Sequence, residues 1–261
     1  MPVIIQMINY IGASVLSLCD QLGSFTLFFT YAAQVAATTR LKLAKVIEHM
    51  EAIGVESLTI VVLTGTFSGM VFALQSYIGF KRVGGEQFIG AVVALAMVRE
   101  LGPVLTGLMV TGRAGSAITA ELGTMVITEQ IDALRTLRIN PFQYLVVPRM
   151  LAATIIMPFL TLFSMICGII GGYVICTYVL ELSPEDYLNS IRTYVELSDI
   201  NGGLIKAAVF GLILSWVGVY KGFNTHGGAR GVGIATTQSV VTASIMILIS
   251  NYFLTKMIEQ L

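Results

Sequence analysis

Long apolar segments alternate with short polar segments along most of this chain. An α-helix needs about 20 predominantly apolar residues to cross the hydrocarbon core of a bilayer. The pattern therefore predicts an all-α integral membrane protein with five transmembrane helices, and a single membrane domain over residues 1–261. The predicted spans are residues 57–80, 87–112, 150–180, 200–220 and 231–255.

The first 50 residues carry a weaker pattern. Asp20 is the one charged residue among positions 1–39, so two further spans could be drawn there. Polar residues nevertheless recur near helical spacing, which favours an amphipathic helix lying in the membrane interface over residues 1–50. These polar residues are Gln6, Asn9, Ser17, Asp20, Gln21 and Ser24.

Three charged residues interrupt the predicted spans: Arg99 and Glu100 in the second, and Lys206 in the fourth. An ionised side chain at the centre of a bilayer costs roughly 2.5–3.5 kcal/mol on insertion scales, so these side chains should face protein, water or a polar substrate. Adjacent residues of a helix do not face each other, so Arg99 and Glu100 need separate partners. Lys206 is the predicted partner of Glu100.

Pro103 follows this pair and cannot donate the helical hydrogen bond that the carbonyl of Arg99 would accept. The sequence therefore places a free carbonyl, a carboxylate and a guanidinium at one depth, near the middle of the second span. Two interpretations stay open. The cluster is either an interhelical ion pair that fixes the bundle or the polar part of a translocation cavity.

The segment TEQIDALRTLRI, residues 128–139, lies between the second and third spans. Thr128 is the predicted N-cap, and Glu129 complements the helix N-terminus. Apolar residues then recur at every third position, and Asn140-Pro141 ends the pattern. This is a short amphipathic cytoplasmic helix. It either rests on lipid headgroups or docks a cytoplasmic partner.

Composition removes several classes of function. Hydrophobic residues make up 56% of the chain, and the 15 Lys and Arg residues balance the 15 Asp and Glu residues, so no net charge favours nucleic acid. Two histidines without a ligand pattern do not predict a metal site. There is no G-x-x-x-x-G-K-[ST] motif and no G-x-S-x-G motif, so we expect neither ATP hydrolysis nor hydrolase activity from this chain.

Glycine pairs at G-x-x-x-G spacing occur in the first and third spans, as Gly65–Gly69 and Gly168–Gly172. Small residues at this spacing let membrane helices approach backbone to backbone. The spacing alone does not separate packing within one subunit from an interface between subunits.

Basic residues set the predicted orientation. With five spans and a cytoplasmic N-terminus, the cytoplasmic segments hold nine Lys and Arg residues and the outer segments hold four. The acidic segment Glu181–Asp199 suits an outer loop. We therefore expect a cytoplasmic N-terminus and a periplasmic C-terminus.

Two long motifs resemble the signature of MlaE-type permeases of bacterial phospholipid ABC transporters. They are RELGPVLTGLMVTGRAGSAITAELGTM, which starts at Arg99, and TEQIDALRTLRINPFQYLVVPRMLA, which starts at Thr128. The first span, VLTGTFSGMVFALQSY, and the TTQSVV of the last span extend the resemblance over essentially the whole chain. It implies an N-terminal interfacial helix, five spans, a cytoplasmic coupling helix at 128–139, and a short periplasmic helix at 184–193.

The resemblance also implies a function and partners. Proteins similar to this form a permease homodimer in the bacterial inner membrane and move phospholipids to or from a periplasmic MCE-domain hexamer (MlaD-like), which maintains the lipid asymmetry of the outer membrane. Two cytoplasmic ATPase subunits (MlaF-like) bind ATP and Mg²⁺, and a STAS-domain protein (MlaB-like) binds those ATPases. No cofactor is implied for the permease chain itself.

Specific residues follow from the same resemblance. Some relatives carry an acidic residue where this chain has Asn251. The implied lipid cavity comprises Val71, Leu74, Gln75, Tyr77, Arg99, Glu100 and Lys206. The implied ATPase-coupling residues are Thr128, Glu129, Gln130, Asp132, Leu134 and Arg135.

An alternative function is an ion-coupled secondary transporter that uses Glu100 and Lys206, although no inverted repeat supports it.

Overall fold

A computed structural model describes residues 2–39, 42–82, 84–258 and 260, with side chains in the first helix described at residue 16 and from residue 19 onward. These residues form helices and no strand. Five helical segments are long and apolar enough to cross a membrane, as predicted. They are Leu43–Phe80, Glu86–Ile127, Phe142–Val179, Leu197–Phe223 and Gly228–Ile258.

The helix bounds are as follows. Helix α1 is Pro2–Thr38 and α2 is Leu43–Phe80. The second span consists of α3 (Ile89–Ala96), α4 (Gly102–Val110) and α5 (Ser116–Ile127), joined by π-helical turns at Met97–Leu101 and Thr111–Gly115. The third is mainly α7 (Val147–Val174), with π-helical turns at both ends. The remaining helices are α6 (Gln130–Thr136), α8 (Pro184–Tyr194), α9 (Leu197–Phe223) and α10 (Gly228–Ile258).

The helices extend beyond the apolar segments that predicted them. Residues 43–50, which the sequence grouped with the N-terminal segment, belong to α2. Lys45 and Glu48 form an ion pair one turn apart there, at 3.0 Å. Hydropathy marks the part of a helix that is compatible with hydrocarbon, whereas a helix continues into water wherever its backbone stays hydrogen-bonded.

Helix α1 is continuous and carries polar residues on an exposed face, including Asp20, Gln21 and Ser24. The side chains of Gln6, Asn9 and Ser17, which complete the predicted polar stripe, lie outside the described residues. Further along the helix, Ala32 and Val35 are buried against the bundle. An interfacial position in the membrane stays a prediction.

The G-x-x-x-G pairs pack helices of one subunit together. A Cβ atom at Gly65 would lie 2.7 Å from the backbone oxygen of Ser164, and one at Gly69 would overlap the backbone of Gly168. Helices α2 and α7 therefore cross with their backbones in contact, which is the close approach that small residues permit. Of the two alternatives that the spacing left open, packing within the subunit is the one observed.

An aromatic cluster fastens α1 to the bundle. Phe25 stacks on Trp216 with ring centroids 4.0 Å apart, and it meets Tyr220 edge-on at 4.9 Å. Phe28 packs against Tyr220 and Phe142. Aromatic pairs of this kind contribute about 0.5–1.5 kcal/mol beyond the area that they bury. The C-terminal half of α1 is thereby held against α9.

The helix between spans two and three is shorter than predicted. Helix α5 continues to Ile127, so Thr128 forms its C-cap and donates to the carbonyl of Thr124 at 2.8 Å. Glu129, in the left-handed region at φ 59°, takes the N-cap position of α6 instead. The predicted N-cap role of Thr128 is therefore wrong. Helix α6 also ends at Thr136, before Asn140, because the backbone turns at Arg138 with φ 60°.

Helix α8 covers the predicted segment 184–193 and one further residue. The Ser183 hydroxyl accepts a hydrogen bond from the backbone N–H of Asp186, and Pro184 occupies the first helical position. Both features are favoured at a helix N-terminus. Tyr187 is buried and donates to the carbonyl of Ile169 at 3.0 Å; burial raises its pKa, so the hydroxyl stays protonated.

Candidate functional site between spans two, four and five

Lys206 is the centre of a polar cluster between α9, α10 and the second span. Lys206 is only 3% exposed, and its ammonium group donates three hydrogen bonds. The acceptors are Glu100 Oε1 at 2.7 Å, the Arg99 carbonyl at 2.8 Å and Thr255 Oγ1 at 2.7 Å. An ammonium has three donors and no more. All of them are therefore used within the protein, and the predicted pairing of Lys206 with Glu100 is confirmed.

Glu100 gathers the remaining partners. Asn251 Nδ2 donates to its Oε2 at 2.7 Å, and Thr255 Oγ1 lies 2.9 Å from its Oε1. The Thr255 hydroxyl is also 2.8 Å from the Asn251 carbonyl, so its single proton serves one of these two acceptors at a time. The carboxylate thus contacts two helices besides its own.

The backbone around Arg99 explains why its carbonyl is available. Pro103 lies at the start of α4 and has no N–H for that carbonyl, as the sequence predicted. Residues Met97–Leu101 form a π-helical turn, and the freed oxygen points at the Lys206 ammonium. Turns of this type are common at functional positions in helices.

Arg99 has a different partner from Glu100 and pairs with Asp199. Its Nε and Nη2 atoms both lie 2.7 Å from Asp199 Oδ1. The other carboxylate oxygen of Asp199 accepts from the backbone N–H of Glu196, which completes a capping box at the start of α9. The Arg99 side chain remains 51% exposed, whereas that of Asp199 is 7% exposed. A fixed carboxylate thus orients a guanidinium that solvent can reach.

These groups line a cavity of about 320 Å³. Gly203 allows α9 to pack closely against the second span, because a Cβ atom there would overlap the Val98 carbonyl. Two ion pairs, Arg99–Asp199 and Lys206–Glu100, leave the cavity wall neutral overall. The lining residues are Arg99, Glu100, Ser198, Asp199, Gly202, Gly203, Lys206, Thr255 and Ile258.

A second, apolar groove of about 410 Å³ runs between α2 and α4. Two of the predicted lipid-cavity residues, Val71 and Gln75, line it, whereas Leu74 is exposed on α2 and Tyr77 packs against a smaller core cluster. No residue lines both the groove and the polar cavity. The groove is lined by Phe67, Ser68, Val71, Phe72, Gln75, Leu101 and Leu105.

The cluster lies nearer to one end of the bundle than predicted. Glu100 is about 21 Å from Glu86 and about 40 Å from Ile127 along the second span, at 1.5 Å per residue. Asp199 is in the first turn of α9, and Thr255 is in the last turn of α10. The expected mid-span position is wrong along the helix, because this helix continues well beyond residue 112, where the predicted span ends.

Sequence reasoning missed Asp199 and Thr255. Asp199 was assigned to the acidic outer segment, and Thr255 was the last residue of a predicted span. The spacing of Glu196 and Asp199 in the capping box is a signal that could have placed the start of α9. Thr255 gave no comparable signal, since one hydroxyl near a helix end is common.

The predicted coupling residues occupy α6 and the turn before it. Asp132 and Arg135 form an exposed ion pair at 2.9 Å, and Gln130 donates to Thr128 at 3.0 Å. Leu134 is half-buried against the main core cluster. The helix therefore rests on the bundle through its apolar residues and presents its charged residues outward.

Within the described ranges, no three His, Cys, Asp or Glu side chains converge as metal ligands would.

Comparison with known proteins identifies the class. Over 249 residues, the chain is 47% identical to a probable ABC transporter permease protein of Rickettsia conorii, covering 95% of this chain and 96% of that protein. It is 40% identical over 214 residues to the chloroplastic protein TRIGALACTOSYLDIACYLGLYCEROL 1 of Arabidopsis thaliana, covering 82% of this chain and 61% of that protein. The chain is therefore a multi-pass permease of the ABC transporter class.

The family follows from two further matches. Residues 46–257 match the family described as Permease MlaE. The intermembrane phospholipid transport system permease protein MlaE of Haemophilus influenzae is 34% identical over 255 residues, 97% of each chain. This chain belongs to the MlaE permease family. As an ABC transporter permease it is a non-enzymatic subunit that works with an ATPase partner.

Proposed function

We propose that this permease moves phospholipids across or out of the bacterial inner membrane. One observation carries the proposal. On consecutive turns of the second span, Arg99 opens onto a polar cavity while Leu101 and Leu105 line an apolar groove. A phospholipid needs both surfaces, one for its phosphate and one for its acyl chains. The name of the Haemophilus influenzae relative supports the same substrate class.

The hydrogen-bond inventory separates the roles of the two cations. All three N–H donors of Lys206 bond to protein acceptors, so its role is to hold α9 and α10 against Glu100. A guanidinium has five N–H donors, and Asp199 takes two of those of Arg99. The remaining three have no protein partner among the described residues. Arg99 is therefore the residue that binds a lipid phosphate, by charge-assisted hydrogen bonds.

The partners proposed here follow from the family. Two copies of this chain would form the permease, with two ATPase subunits (MlaF-like) and a STAS-domain protein (MlaB-like) on the cytoplasmic side. A periplasmic MCE-domain hexamer (MlaD-like) would exchange lipid with the permease, which would serve the lipid asymmetry of the outer membrane. ATP and Mg²⁺ would bind to the ATPase subunits.

The proposed orientation has the N-terminus in the cytoplasm and the C-terminus in the periplasm. The support is the count made from the sequence, with nine basic residues in the cytoplasmic segments against four in the outer segments. In this orientation the Arg99 cavity opens near the periplasmic surface, and α6 faces the ATPases.

Replacement of Arg99 by glutamine tests the substrate site. We expect Arg99→Gln to lower phospholipid transfer by the reconstituted complex at least tenfold, because the phosphate loses a charged donor pair. Transfer of a fluorescent phospholipid to acceptor vesicles measures the effect. Arg82→Gln, at an exposed arginine that begins the next loop, is the control and should transfer at the unchanged rate. Equal rates in both variants would remove the phosphate-binding role of Arg99.

Replacement of Leu137 by glutamate tests the proposed coupling surface. Leu137 is 69% exposed just after α6, so water rather than protein covers it in the isolated chain. We expect Leu137→Glu to reduce co-purification of the ATPase at least fivefold, because the charge would enter an apolar contact. Leu43→Glu, at a leucine of matched 67% exposure, should retain the ATPase. Retention by both variants would contradict the coupling role.

Family membership argues against the ion-coupled alternative. That alternative requires Glu100 and Lys206 to exchange protons with water, yet Lys206 is buried and fully paired. An ABC permease draws its energy from the ATPase partner, so no ion coupling is needed.

A further inference from the structure

A larger cavity, of about 840 Å³, lies between α1, α9 and α10. Along α9, its lining residue Lys221 is about 33 Å from Asp199 of the polar site, at 1.5 Å per residue. The hydrocarbon core of a bilayer is about 30 Å thick. The two cavities therefore belong to opposite surfaces of the membrane.

The lining of this cavity changes from polar to apolar along the helix axes. Lys221 and Asn224 lie at the C-terminal end of α9, and Gln238 faces the same cavity from α10. Met246 lies about 12 Å further along α10, with Val241 and Thr242 between them. A polar entrance thus leads to a mainly apolar interior over roughly the length of two helical turns.

Lys221 lacks an acidic partner. Its ammonium lies 3.4 Å from Gln238 Oε1, which is a long contact, and no ion pair involves it among the described residues. None of the side chains that line the cavity is acidic. A lysine near a membrane surface attracts anionic lipid headgroups. An unpaired cation at the entrance of an apolar cavity matches the phosphate of a lipid.

The wall of the cavity is held in place without a ligand. Phe25, which lines it, is stacked on Trp216 and meets Tyr220 edge-on. These contacts fix α1 at the cavity margin, so a ligand would not have to order that helix. Preformed cavities of 300–1,000 Å³ with a few polar groups are typical of small-molecule sites.

We propose that this cavity binds one phospholipid from the membrane leaflet opposite to the Arg99 site. The lipid phosphate contacts Lys221, with the amides of Asn224 and Gln238 beside it, and an acyl chain lies against Val241 and Met246. In the proposed orientation this is the cytoplasmic leaflet. The site shares no residue with the transport site, so it is an additional site of the chain.

Photocrosslinking in the assembled transporter tests the proposal. The complex with its ATPase subunits is placed in nanodiscs that contain phosphatidylglycerol with a photoactivatable acyl chain, and adducts are mapped by mass spectrometry. We expect an adduct on the α10 peptide that carries Val241 and Met246. Met246→Trp should fill the cavity and lower this adduct at least fivefold, and Lys221→Gln should lower it at least threefold.

Leu248→Trp is the matched control, because Leu248 is exposed on the same helix and does not line the cavity. It should leave the adduct within twofold of the unchanged protein. Arg99→Gln should also leave this adduct unchanged while transfer falls, so the two proposals can fail separately. Equal adduct yields in the Met246 and Leu248 variants would overturn the proposal. An efficient disulfide between two copies through Gln238→Cys, in a Cys19→Ser background, would also overturn it, because a second copy would then fill the cavity.

Discussion

Glu100→Leu is expected to lower the free energy of unfolding by about 3–5 kcal/mol, because it leaves the Lys206 ammonium buried without a carboxylate. Lys206 is 3% exposed, and its two other acceptors, the Arg99 carbonyl and the Thr255 hydroxyl, are neutral. For a chain of this size, such a loss corresponds to a fall in Tm of at least about 6 °C. Thermal unfolding of the purified transporter in detergent measures it.

A paired replacement distinguishes the buried charge from lost packing. Glu100→Leu combined with Lys206→Met removes both ions, and we expect it to recover most of the lost stability. Glu100→Gln keeps an acceptor for Asn251 and Lys206 and should have an intermediate effect. If the double variant is no more stable than Glu100→Leu alone, the ion pair does not account for the loss.

Gly69→Ala is expected to disrupt the crossing of α2 and α7 and to cost about 3 kcal/mol, the upper part of the usual range for overpacking. The added methyl group would overlap the backbone of Gly168, which cannot rotate away as a side chain can. The helices would have to separate along the crossing. The yield of folded protein and its Tm measure the effect.

Gly79→Ala provides the matched control on the same helix. No atom lies within 4 Å of the position that its Cβ would take, so the same change meets open space. Its effect should stay within about 1 kcal/mol, the difference between glycine and alanine in helix propensity. Similar losses in both variants would show that helix propensity, rather than contact at the crossing, sets the stability.

The spans and the central ion pair were predictable for the same physical reason. Hydrocarbon excludes charge so strongly that apolar runs define helices, and the charges within them, Glu100 and Lys206, must find each other. The partner of Arg99 could not be predicted in this way. Asp199 lies at a helix end, where charge is common, so hydropathy assigned it to a loop.

Helix ends set a similar limit between spans two and three. Thr128 fits the preferences for an N-cap, yet α5 continues through Ile127 and leaves that role to Glu129 in a left-handed conformation. Tertiary packing determined this choice, because Ile131 is buried in the main core cluster. Local propensity is a weak guide where packing decides.

The length of the second span has a mechanical consequence. Its 42 residues make a rod of about 63 Å, roughly twice the thickness of hydrocarbon. One end adjoins α6, and Arg99 lies about 20 Å from the other end. Pivoting this rod by about 5° at Ile127 would sweep Glu100 sideways by about 3.5 Å, since the two are about 40 Å apart. That displacement exceeds a hydrogen-bond length. If α9 and α10 stayed in place, a small rotation at the α6 end would be enough to break and remake the contacts of Arg99 and Glu100.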